Sequence, residues 1–183
     1  MNEYSFLQNT WKGKLIKPAF AGNNIDYFLT SKENKHLLQY LGLPMLHSVR
    51  GWDFLPFTYY HFVTVAEKNY YLLGDIGKGI LGEVFLGIEK ESGEIFQISQ
   101  SKENGFSCLW LNVGLYEYLM CLAHYTKFID TEYPFPSSEV KVQVQSDYQK
   151  LIDNMTKVDA RAMNRINLVL RHLGGYPPKA IQR

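Results

Sequence analysis

The chain has 183 residues, 46% of them hydrophobic and 20% charged, which is enough for one sizeable core and excludes a disordered polymer. With 19 Lys and Arg against 18 Asp and Glu, the formal charge of +1 supplies no chain-wide field to hold a nucleic-acid backbone, so direct nucleic-acid binding is not expected. No apolar run approaches the roughly 20 residues that cross a bilayer, no basic segment leads from Met1 into an apolar stretch, and Cys108 and Cys121 are too few for a disulfide framework; a cytoplasmic protein without a membrane partner is expected.

Met1 to Asp26 is weakly patterned, with Trp11 as its one large anchor, and predicts loop or short irregular elements. Thr30-Ser31-Lys32-Glu33 reads as a capping box in which the Thr hydroxyl and the Glu carboxylate satisfy open amides. Leu37, Leu38 and Leu41 give the helix that follows its apolar face, and Gly42 with Pro44 ends it. After a loop holding Trp52, Asp53 and Pro56, five segments rich in aromatic and β-branched residues read as strands: Phe57 to Val65, Tyr70 to Ile76, Val84 to Glu89, Glu94 to Ser99 and Phe106 to Leu111. Turns at Glu67-Lys68-Asn69, Gly77 to Gly82 and Ser92-Gly93 make an antiparallel meander the simplest arrangement. Both faces of the first segment carry aromatics, so one of them must meet more than water.

From Asn112 the period changes to helical, with Leu115, Leu119, Leu122 and Tyr125 behind Asn112 as an N-cap. Pro134 and Pro136 break this helix, and Ser137 or Ser138 can cap a further one carrying Val140, Val144, Tyr148, Leu151 and Met155. Val140, Val142 and Val144 also alternate as a strand would, but the register continuing to Met155 favours helix. Val158, Ala162, Ile166, Val169 and Leu173 describe a last helix, closed by Gly174-Gly175. No internal repeat or low-complexity linker divides the chain, so one domain spanning residues 1–183 is expected.

Three constellations offer chemistry. Gly77-Lys-Gly-Ile-Leu-Gly82 matches GxGxxG, but a dinucleotide loop needs a helix opening at the third glycine, and Glu83-Val-Phe-Leu continues as a strand. Cys121 and His124 share a helix face; among Leu119, Leu122 and Ala123 they read as a buried thiol and a locally bonded imidazole rather than nucleophile and base. Asp53, Asp75 and Glu83 could converge as acid and base, although Asp75 beside glycines fits a turn carboxylate. His36, His47, His61 and His172 are scattered and give no metal-ligand spacing, so neither a metal nor a cofactor is expected, and a small-molecule ligand is not. Lys157, Arg161, Arg165, Arg171, Lys179 and Arg183 against Asp159 make the C-terminal segment locally basic, which reads as a solvated face or as a dock for an acidic protein or nucleic acid.

The succession of helix, Gly42-Leu-Pro44, strands, Ser92-Gly93 hairpin and Leu109-Trp-Leu-Asn-Val-Gly-Leu-Tyr-Glu-Tyr-Leu119 resembles the SUKH superfamily, over about residues 28 to 129, with residues 137 to 174 as a helical extension. Asn112, Leu115, Tyr118 and Leu119 occupy the family's strand-to-helix pattern, and Ile88 to Ile95 resembles its hairpin. Gly114 stands where a small hydroxyl residue is more usual, and the chain is near neutral where many immunity proteins are acidic. The resemblance implies an α+β fold, with a mainly antiparallel sheet of five to six strands flanked by helices, and a non-enzymatic role. Bacterial members are immunity proteins that bind and neutralise a polymorphic toxin, commonly a nuclease or deaminase, while fungal relatives regulate cell-wall synthesis. Specific interfaces centre on a few aromatic or Arg anchors. The expected toxin contacts are accordingly Trp52, Asp53, Tyr59, Tyr60 and Asp75, aromatic or acidic residues near strand edges and turns.

Overall fold

The structure, a computed structural model, describes residues 4–12, 14–18, 31–49, 52–79, 82–103, 105–130 and 138–163. Helix α1 (Ser5–Thr10) leads to a two-residue strand, β1 (Leu15–Ile16), which pairs antiparallel with β2 (Leu43–Pro44) at the far end of helix α2 (Lys32–Tyr40). Then β3 (Leu46–Val49), β4 (Trp52–Val65), β5 (Lys68–Gly79), β6 (Gly82–Glu89), β7 (Ile95–Ser101) and β8 (Gly105–Asn112) form a six-stranded antiparallel sheet in chain order. Helices α3 (Leu115–Ile129), α4 (Ser138–Val158) and α5 (Ala160–Met163) follow. The fold is α+β with an antiparallel meander, as the alternation and turn residues predict.

Several boundaries differ from the sequence reading. Trp52, Asp53 and Pro56 lie within β4 rather than in a loop before it, because the strand continues far enough to pair with β3 through Leu46↔Phe54 and Val49↔Trp52. The turn between β4 and β5 is Ala66-Glu67, both at positive φ (48° and 66°), so Lys68 and Asn69 already belong to β5. This is the backbone of a two-residue hairpin whose twist matches its strands. The cap of α2 is Ser31, whose hydroxyl accepts from Asn34 N at 3.3 Å; Thr30 lies outside the described residues. Gly42, at φ 85°, closes that helix with its amide bonded to Leu37 O at 3.0 Å. Residues 140–145 are helical, within α4, which settles the strand alternative. The described part of the expected last helix is Ala160–Met163, and Ile166, Val169, Leu173 and Gly174-Gly175 fall outside the described residues.

One face of the sheet packs under the helices. Leu73, Leu86, Ile88, Ile95 and Leu111 meet Leu7 and Trp11 around α1, Leu37 and Leu38 of α2, Leu115, Tyr118 and Leu122 of α3, and Leu151 and Met155 of α4. The other face holds a second apolar cluster of Tyr70, Leu72, Phe85, Phe96 and Ile98, flanked by Phe57, Val63, Val65, Phe106 and Trp110. Its members come from the strands alone, yet Ile98 is 0% and Tyr70 2% exposed. Among the described residues the sheet curls over this face: β4 and β8, near its two margins, approach within 8 Å between Cα atoms. Side chains then meet across intervening strands, with Phe57 and Phe85 rings 6.0 Å apart and Tyr70 Oη 3.6 Å from Cys108 Sγ.

Register breaks drive this curvature, since an extra residue on one strand raises local twist. Pro56 pairs with Gly74 and His61 with Leu72, so residues 57–60 stand opposite Leu73 alone. Leu73 is itself extra against β6, where Leu72 pairs with Gly87 and Gly74 with Leu86. A further break at Gly77 (φ 107°) and one between Ile95 and Phe96 complete the bend. At Gly74 a Cβ would fall 2.6 Å from Phe54 Cε2 and 2.7 Å from Leu55 O, so only glycine lets β4 approach β5 at the bulge.

Candidate functional site

The region of β4 and β5 around these breaks is where the sequence-expected contacts fall. β4 lies next to the sheet margin, since β3 pairs only with its first residues; beyond Phe54, among the described residues, no strand covers its outer side. Tyr59 sits inside the bulge, 74% exposed, and Phe62 is 60% exposed beside Tyr71. Pro56 is tolerated here because a marginal strand need not donate from every amide. Asp75 pairs with Leu55 in register and is half-buried, its Oδ1 accepting from Gly77 N at 2.7 Å. That carboxylate braces the kinked backbone of β5, which is the turn role its glycine neighbours indicate. Trp52, Asp53 and Tyr60 belong to the same strand by backbone, while their side chains lie outside the described set. The arrangement offers the exposed ring of Tyr59 inside the bulge, that of Phe62 beyond it and one braced carboxylate. It suits adhesion to a complementary surface.

The other candidate constellations are not assembled for catalysis. Gly82 opens strand β6 and pairs with Gly79, so no helix amides follow the GxGxxG sequence. Asp75 faces Phe85 across β5 and β6 while Glu83 faces Lys78, and Glu83 is exposed at the rim of a depression of about 350 Å³ that it lines with Gln100, Ser101 and Lys102. Cys121 is buried on the inner face of α3, with Asn112 Nδ2 3.9 Å from its sulfur; burial first, then the charge of Asp159, push its thiol up to about 12. His124 instead lies against Phe6, ring centroids 4.8 Å apart, and burial followed by Lys127 pushes its imidazole below the usual range. A neutral thiol and a separately stacked ring do not make a nucleophile and its base. Among the described residues no three His, Cys, Asp or Glu side chains gather as metal ligands, and no helix is long and apolar enough to cross a membrane.

Sequence reasoning missed a buried polar junction that fixes the sheet to its helices. Asn34 on α2 donates from Nδ2 to Gly93 O at 3.0 Å in the β6–β7 turn, and its Oδ1 accepts from Leu115 N at 3.1 Å. It thus supplies the cap that α3 lacks from its own N-cap, Gly114. Asn112 is therefore not the helix cap; it is the buried end of β8, and its Nδ2 donates to Asp159 Oδ2 at 3.0 Å. Asp159 also accepts from Val113 N at 3.1 Å and, through Oδ1, from Ala162 N at 2.9 Å, capping α5. Far from acting as a counter-charge in a basic segment, it is a structural acceptor. Arg161 does pair with Glu94 at 2.7 Å and lies 4.4 Å over Trp110, whereas Arg165, Arg171, Lys179 and Arg183 lie outside the described residues. An Asn at either end of a helix is a weak signal, and only contacts 59 and 81 residues apart reveal what Asn34 does.

In the β6–β7 turn, burial raises the Glu89 carboxyl, but hydrogen bonds from Ser92 and from the amides of Ser92 (2.7 Å) and Glu91 (3.3 Å), with Lys68 nearby, hold it below the usual carboxylate range. Compared with known proteins, the chain matches no family model, and neither the characterised proteins nor the solved structures contain a match to it.

Proposed function

We propose that the chain is a protein-binding module of the SUKH immunity type, which docks on a cognate polymorphic toxin domain in the cytoplasm and blocks its active site. The observation that carries this reading is the bulged surface of β4, where Tyr59 stands out from a rigid sheet. Rings with few rotatable bonds lose little entropy on docking, and such residues dominate interface energetics. Support also comes from the strand-to-helix motif Leu109 to Leu119, joined to an antiparallel α+β fold. Trp52, Asp53, Tyr59, Tyr60 and Asp75 are the proposed contacts. A nuclease or deaminase toxin is the proposed partner class, and no cofactor, metal or catalytic residue enters the mechanism.

The test is co-expression with the toxin domain encoded beside this chain, scored by growth rescue and by co-purification. Rescue with a stable complex, weakened at least tenfold by Tyr59→Ala, is the expected result, since truncating an interface anchor removes about 2 kcal/mol or more. Absence of rescue and of co-purification with toxins of several classes sinks the proposal.

A further inference from the structure

We infer that the outer edge of β4 over residues 61–65 pairs with the same edge of a second copy of this chain, extending the sheet across a two-fold axis. The inference stands apart from the toxin reading, which uses the bulged stretch 52–60 and Asp75.

The pairing of β4 with β5 is continuous from His61↔Leu72 to Val65↔Lys68. A two-residue hairpin makes Val65 and Lys68 a hydrogen-bonded pair, and such pairs alternate along an antiparallel ladder. His61, Val63 and Val65 therefore spend their amides and carbonyls on β5, while those of Phe62 and Thr64 point outward. The outward orientation has a cross-check on the partner strand: Asn69, opposite Thr64, gives its carbonyl to Lys90 N at 2.9 Å and not to β4. Among the described residues nothing pairs with this edge.

Sheet margins in monomeric proteins are ordinarily blunted by charges, prolines or bulges. From Phe57 to Ala66 this strand has no Lys, Arg, Asp, Glu or Pro, and its bulge ends at residue 60. Of the six large apolar side chains exposed among the described residues, Leu55, Tyr59 and Phe62 all lie on β4, which makes the exposure local to this strand. Two identical uncharged edges brought together by a two-fold axis meet without like-charge repulsion, in a chain of net charge +1. Phe62 and Thr64 of each copy can then exchange backbone hydrogen bonds, and the exposed Phe62 rings gain cover from the neighbouring strand. A second copy supplies the neutral, aromatic, β-branched strand that this edge fits.

The experiment measures the mass of the full chain in solution by light scattering across a concentration series, together with amide exchange at Phe62 and Thr64. A concentration-dependent dimer is expected, with both amides protected more strongly as the dimer fills. Thr64→Pro removes an outward amide and leaves the backbone ladder to β5, at the loss of the Thr64 Oγ1 hydrogen bond to Asn69 Oδ1 (2.9 Å), and Phe62→Lys places a charge at the contact. Thr64→Pro should weaken dimerisation about a hundredfold, because losing one backbone bond per copy and the packing around it removes roughly 3 kcal/mol, and Phe62→Lys should weaken it at least tenfold by setting two like charges against each other in place of two apolar rings. Circular dichroism that matches the unaltered chain verifies that both variants fold. A monomer at every concentration overturns the inference, and so does a dimer that both variants leave intact. A monomer whose two amides are nonetheless protected also overturns it, by assigning the cover to another segment of the same chain.

Discussion

The two faces of the sheet each hold a buried apolar cluster but, among the described residues, are closed by different means. Under the helices, Leu86 and Ile88 are covered by side chains from α1 to α4, a second layer of secondary structure. On the other face, Ile98 and Tyr70 are just as inaccessible, and among the described residues the side chains clustered with them come from the strands of the curled sheet and from no helix. Tyr70 packs edge-on against Phe96 at 5.1 Å, and Phe57 reaches Phe85 across β5. The difference teaches that a sheet rich in aromatics and bulges can build a second core from one layer, with the bend replacing a covering element.

The sharpest way to break this comparison is to excavate both faces. Leu86→Ala under the helices and Ile98→Ala on the concave face should each destabilise the fold by about 3 kcal/mol in urea unfolding. A loss below about 1 kcal/mol for Ile98→Ala would show that the concave face behaves as surface. Next in size, Asp159→Ala should cost about 2–3 kcal/mol, because it strands the buried donors of Asn112 and Ala162 and the part-buried amide of Val113. Its effect should appear as a lower unfolding midpoint and faster exchange of the Val113 amide.

Acid sharpens the comparison on the hairpin that both faces share. Glu89 has its carboxyl held below the unfolded value, so the stability it contributes is present above roughly pH 4 and is lost as the pH falls through the folded value. Glu89→Gln should flatten the acid limb of the urea midpoint measured against pH. Glu117 works in the opposite direction, since burial, with Glu33 and Asp159 nearby, raises its carboxyl; its contribution fades as pH rises through the folded value. The smallest change should come from Tyr59→Ala, within about 0.5 kcal/mol of the parent in stability, as an exposed ring on neither core. A larger loss would mean that the bulge leans on this ring for its shape.

Legibility in the sequence followed the range of the interactions. The segments Tyr70 to Ile76, Val84 to Glu89 and Phe106 to Leu111 lie wholly within observed strands, because alternation and β-branching act over a few residues. The α3 and α4 faces were visible for the same reason, through Leu115, Leu119 and Leu122 and through Val144, Leu151 and Met155. Of the candidate site, Tyr59 could be named as an aromatic on a strand with two apolar faces, and Asp75 as a turn carboxylate. The bulge that turns Tyr59 outward could not, since a register break belongs to a pair of strands and neither strand announces it alone. Asn112 was misread as a helix cap because its own neighbourhood permits that role, whereas its partner is Asp159, 47 residues away.

By itself, then, the sequence determined the antiparallel meander, the helices that follow it and the absence of a chain-wide charge, all set by local period and composition. The tertiary structure alone decided that the sheet curls into a second core, that Asn34 and Asp159 lock sheet to helices, and that β4, among the described residues, keeps an open margin. The physical reason is common to all three. Curvature, buried polar pairing and an unpaired edge are properties of segments brought together, and each side chain acquires its role only from the partner that the fold places against it.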